Sequence, residues 1–144
     1  MQKQTEMRKW QERILCILLR WVGGVSLLAL VPVFMPHAWM DEIHRSLGMG
    51  ELPEIPIVGY LTRSLSLFYA LMGGLLVLCS FNLVKYKAVL WYLGASFIFF
   101  GLAMLGIDYG VGMPDYWKQL EGPYVTIFGI LILVLLRNVK REDQ

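Results

Sequence analysis

Four apolar stretches, at 14–35, 57–81, 88–107 and 122–139, constrain this chain more than any other feature. A bilayer core about 30 Å thick takes roughly 20 helical residues to cross. Strands are a poor alternative, because an open strand edge leaves backbone groups unpaired in hydrocarbon. The sequence therefore predicts an all-α, four-transmembrane-helix bundle, a single integral membrane domain over residues 1–144. Composition agrees: 57% of residues are hydrophobic and only 17% charged, which a soluble domain seldom shows. The first stretch has a basic flank like a secretory leader. Its apolar run is roughly twice the usual length and no A-x-A pattern closes it, so cleavage is not expected.

The signs of charge are sorted along the chain. Lys3, Arg8, Lys9 and Arg13 precede the first stretch; Lys85 and Lys87 lie between the second and third; Arg137, Lys140 and Arg141 follow the fourth. The other two connections carry only Arg45 and Lys118. By the positive-inside rule both termini face the cytoplasm. The acids Asp41, Glu42, Glu51, Glu54, Asp108, Asp115 and Glu121 then lie outside, with none expected inside a span. Trp10, Tyr86, Trp91 and Tyr92 would form the inner aromatic belt. Trp39, Tyr60, Tyr109, Tyr116, Trp117 and Tyr124 would form the outer one. Residues 1–13 read as a cytoplasmic helical lead-in at the headgroups, a topology anchor rather than a nucleic-acid contact.

Two arginines interrupt the apolar runs. Arg20 lies ~9 Å past residue 14 along a helix. It either snorkels to inner phosphates or turns inward to carbonyls or Asn82. Arg63 enters the second span about one turn below the outer surface, free to reach water or the acids of the outer loops. Small residues follow both: Gly23, Gly24, Ser26 and Ala29 in the first span, and Thr62, Ser66, Ala70, Gly73 and Gly74 in the second. In the third, Gly94, Ala95, Gly101 and Gly106 recur near every seventh residue. Such faces let backbones approach closely, within one chain or between copies.

The connection after the first span is the richest in polar groups. Pro36 suits the first turn of a helix and Gly48 its stop, predicting a short amphipathic extracytoplasmic helix over 37–47. Trp39, Met40, Ile43 and Leu47 would share one face and His37, Asp41 and His44 another. Residues 49–56 read as an extended Gly- and Pro-rich linker. Beyond the third span, 108–114 reads as a turn and 114–121 as a separate interfacial helix. Gly122-Pro123 would then open the last span.

Candidate chemistry is sparse. His37, Asp41 and His44 are weak metal candidates, since His37 and His44 stand ~10.5 Å apart along a helix. A solvated polar face uses the same residue types. Arg63, Asp108 and Glu121 form the second candidate, either a structural ion pair between spans or an outward polar pocket for a small anion or headgroup. With Asp41 and His44 they make the candidate polar cluster. Cys16 and Cys79 read as small core residues. No catalytic residue is assigned: phosphate loop, HExxH, G-x-S-x-G and half-helix patterns are all missing.

Leu19-Arg20, followed by Gly23-Gly24 and ending at Phe34–Pro36, resembles the opening of small bacterial four-helix membrane proteins of the broad DoxX-like kind. The words YLTRSLSLFYALMGG, GMPDYW and EGP are similar to those of small bacterial membrane proteins. The resemblance implies a four-helix bundle in the bacterial inner membrane, with no settled activity. A redox role does not carry over, because the two cysteines lie at the cytoplasmic ends of different spans. The expected function is a non-enzymatic ligand- or lipid-binding or accessory subunit with an extracytoplasmic polar mouth. Its expected partners are the bilayer and a membrane protein or second copy, not nucleic acid. A small transporter or channel is the first alternative. A membrane-embedded enzyme using the 37–44 segment is the second. No cofactor is assigned.

Overall fold

The computed structural model describes residues 2–137 and 139, all helix and connection. Six helices run in order: α1 Gln2–Leu27, α2 Leu30–Phe34, α3 His37–Ser46, α4 Pro56–Ser80, α5 Lys87–Val111 and α6 Asp115–Leu136. Four helical segments are long and apolar enough to cross a membrane: Glu6–Phe34, Pro56–Ser80, Lys87–Val111 and Asp115–Leu136. The chain is a membrane protein by this measure. Lys140 and Arg141, counted above for orientation, lie outside the described residues.

Several boundaries differ from the sequence expectation. The polar lead-in is no separate element, because α1 is continuous from Gln2. The first span is broken at Leu28 and Ala29, which the apolar run conceals. Pro32 is the cause: it lacks an N–H, and its ring clashes with the carbonyl four residues back. Three-residue bonds from Leu28 to Val25, Ala29 to Ser26 and Val31 to Leu28 carry the chain through the break. The third span runs four residues past 107, to Val111. The separate 114–121 helix does not exist. Its residues are the first turns of α6, with Pro114 as N-cap and Pro123 inside. The 108–121 connection thus shrinks to 112–114.

The chain separates into two compact units, residues 1–19 with 79–144, and residues 20–78. In the first, α5 and α6 pack antiparallel. A Cβ on Gly94 would sit 3.2 Å from the Gly129 carbonyl, and one on Gly101 would sit 2.6 Å from the Gly122 carbonyl. Contacts seven residues apart on both helices make a close seam, with the Phe97 and Phe128 rings 5.2 Å apart and tilted at 58°. Leu15, Leu19, Leu90, Ile132 and Leu136 of this unit are fully buried. The Cys16 thiol donates to the Ser80 carbonyl at 3.3 Å.

In the second unit, α1 and α4 touch backbone to backbone at Gly23 and Gly73. A Cβ on either would lie 2.6–2.7 Å from the other's carbonyl oxygen. Gly24 has open space and Gly74 meets only a Leu27 methyl at 3.9 Å, so of each glycine pair one member makes the contact. Met40, Ala70 and Leu76 are buried in this unit.

Candidate polar groove at the α3–α4 connection

Two prolines set up the groove in residues 20–78. Pro36 pushes the residue before it out of helical conformation. Met35 is accordingly extended (φ −70°, ψ 136°), and its carbonyl is left outside the helical ladder. Pro56 opens α4, where its missing N–H costs nothing. One turn later, Gly59 leaves room beside the helix: a Cβ there would meet Arg63 Nη1 at 3.1 Å.

Arg63 folds back through that room. Its Nη2 donates to the Met35 carbonyl at 3.1 Å, and its Nη1 makes a longer, weaker bond to the Gly59 carbonyl at 3.4 Å. A guanidinium carries five N–H donors. Within this unit no carboxylate lies at ion-pair distance from Arg63. The remaining donors adjoin an open hollow of about 420 Å³, lined by His37, Glu54, Ile55, Pro56, Gly59, Tyr60 and Arg63.

The connection from α3 to α4 is held by polar bonds instead of apolar packing. Gly48 adopts φ +70°, and the amides of Gly48 and Met49 close on the carbonyls of Arg45 and His44. His44 Nδ1 donates to the Gly50 carbonyl at 2.9 Å. That bond requires the proton on Nδ1, since a carbonyl only accepts. Asp41 Oδ1 accepts the Leu52 amide at 2.7 Å, while Oδ2 pairs with Arg45 Nη2 at 2.8 Å. Arg45 also reaches Glu51 at 3.2 Å. The Leu52 amide foremost, and then the Arg45 guanidinium, hold the Asp41 carboxyl below the usual aspartate range. These bonds bound a second hollow of about 610 Å³, lined by His37, Ala38, Asp41, Arg45, Glu51, Leu52, Pro53 and Glu54. His37 and Glu54 line both hollows. His37 Nε2 is buried and has no partner among the described residues.

His37, Asp41 and His44, grouped by the sequence as weak metal candidates, are thus separated in use. His44 and Asp41 pin the linker, and His37 faces the hollows. Among the described residues no group of three or more His, Cys, Asp or Glu side chains is placed to hold a metal ion.

Asp108 and Glu121 belong to the other unit. Asp108 was expected outside the span but lies in the last turns of α5, 2% exposed. It falls seven residues past Gly101, at the next step of the α5 seam. Its carbonyl accepts the Met113 amide at 3.0 Å, closing the helix at Gly112 (φ +73°). Its Oδ2 is buried and unpartnered among the described residues. Glu121 accepts a bond from Trp117 Nε1 at 2.6 Å, within electrostatic reach of Asp108. Lys118 pairs with Asp115 at 3.0 Å and stands 5.4 Å over the Tyr109 ring.

Two participants escaped the sequence reading: the Met35 carbonyl and Glu54. The first had a signal, because a residue before proline leaves its carbonyl unladdered. The second had none beyond its negative charge, since only the path of the linker brings Glu54 to the hollow that Arg63 lines. Comparison of the chain with protein families, characterised proteins and solved structures finds no match.

Proposed function

We propose that this is a non-enzymatic membrane protein, a binding or accessory subunit that takes an anionic headgroup at the groove of residues 20–78. One observation carries the reading: Arg63 is positioned by two backbone carbonyls, pairs with no carboxylate of its unit, and borders a hollow of about 420 Å³. A partly buried arginine in a membrane helix is expensive unless its charge is used. Carbonyls orient it without neutralising it. An anion supplies the missing charge. The sorting of lysine and arginine supports an outward-facing groove with both termini in the cytoplasm, and the DoxX-like resemblance supports a bacterial inner membrane. His44 and Asp41 are occupied in holding the linker, which favours binding over catalysis.

The test is native mass spectrometry of the purified protein with phosphatidylglycerol. Bound lipid is expected for the wild type and for Arg63→Lys at reduced occupancy, and its loss is expected in Arg63→Met. Unchanged occupancy in a folded Arg63→Met protein would sink the proposal.

A second reading, a small transporter or channel, is favoured by Asp108, a buried acid in a span with an unpartnered oxygen. It predicts proton or cation flux in liposomes that Asp108→Asn abolishes.

A further inference from the structure

We infer that the groove selects a zwitterionic, amine-bearing phosphate, the phosphoethanolamine group, because Arg63 and Glu54 line one hollow and an adjoining, acid-lined hollow shares His37 and Glu54 with it. The inference rests on the reading of Arg63 as an anion-binding residue and adds the second half of the ligand. Arg63 lines one hollow, where a phosphate would sit. The other is lined by three acids, Asp41, Glu51 and Glu54, against one base, Arg45. Asp41 and Glu51 are already paired with Arg45. Glu54 is exposed and makes no ion pair among the described residues.

Arg63 and Glu54 line the same hollow without closing on each other, so their charged atoms stand more than 4.0 Å apart. Opposite charges held apart around a hollow match a ligand that carries both signs. A purely anionic headgroup would satisfy Arg63 and be repelled by Glu54. A quaternary amine has no N–H to donate to a carboxylate, whereas a primary ammonium has three. His37 lines both hollows, and its buried Nε2 has no protein partner among the described residues.

The experiment titrates the full chain in detergent with phosphatidylethanolamine, phosphatidylglycerol and phosphatidylcholine, read by native mass spectrometry. Phosphatidylethanolamine is expected to bind about tenfold more tightly than the other two, the worth of one charge-assisted hydrogen bond. Glu54→Gln, an isosteric change at an exposed linker position, is expected to erase that preference by weakening phosphatidylethanolamine binding and relieving the repulsion of phosphatidylglycerol. Equal affinities in the wild type, or a preference that survives Glu54→Gln, would overturn the inference while leaving Arg63 as an anion site. Retention of every lipid by Arg63→Met would overturn the underlying reading as well. Soluble glycerophosphoethanolamine identifies the source of the group. Displacement of the lipid supports a free headgroup as ligand, and failure to displace it supports the lipid itself.

Discussion

The α5–α6 hairpin and the α1–α4 crossing use the same device with different results. Both bring helices together where a glycine removes a Cβ. In the hairpin the contact repeats one heptad on, at Gly94 with Gly129 and Gly101 with Gly122, and the helices stay together along their length. The connection is then only 112–114, closed by a left-handed Gly112. In the other unit the contact occurs once, at Gly23 and Gly73, and Pro32 breaks the first span soon after. The chain returns through α3 and a long linker held by Asp41, His44 and Arg45. A repeated seam leaves no room for a groove. A single crossing followed by a break leaves polar side chains and backbone to fill the space, and there the hollows form.

The comparison can be broken first at the seam. Gly101→Val places a Cβ 2.6 Å from the Gly122 carbonyl, on backbone that cannot yield as a side chain would. Overpacking costs about 1–3 kcal/mol or more, and this substitution is expected at or beyond the upper end in denaturant unfolding in detergent. Gly106→Ala, with nothing within 4 Å, should leave the midpoint unchanged. Gly23→Val or Gly73→Val is expected to cost less, near the middle of that range, because one contact is lost and not a repeated face. Gly24→Ala should be silent by the same measurement, and a large loss there would move the crossing to the wrong glycine.

Smaller effects should mark the groove and its linker. Gly59→Ala crowds Arg63 Nη1 at 3.1 Å and is expected to weaken headgroup binding several-fold, about 1 kcal/mol, with little change in unfolding. The Asp41–Leu52 bond should depend on pH. Because the folded Asp41 carboxyl sits below its ordinary value, its stabilisation is complete above the unfolded value of about 3.9 and lost as pH falls through the lower folded value. The Leu52 amide resonance should follow that acid titration, and Asp41→Asn should flatten it.

Much of this was legible in advance, and the failures have definite causes. Apolar length identified four spans because the bilayer sets their length. Pro36 and Gly48 marked α3 because proline's fixed φ suits a helix start and glycine alone takes the positive φ of its stop at little cost. The break at Pro32 was hidden by the apolar letters around it, since hydropathy does not register a missing N–H. The start of α6 was misplaced because Gly122-Pro123 reads as a helix opening, whereas packing against α5 carries the helix back to Asp115 through the proline. Arg63 was recognisable as a site residue from its charge in an apolar run, but its carbonyl partners and Glu54 were not.

The sequence by itself determined the all-α class, the number of spans and the sorting of charge, because these follow from segment length and composition. Tertiary structure alone decided which glycines touch, that Asp108 is buried, and that Glu54 and His37 border the hollow lined by Arg63. Those are distances between residues far apart in the chain, and helical periodicity narrows them to a face without choosing the neighbour.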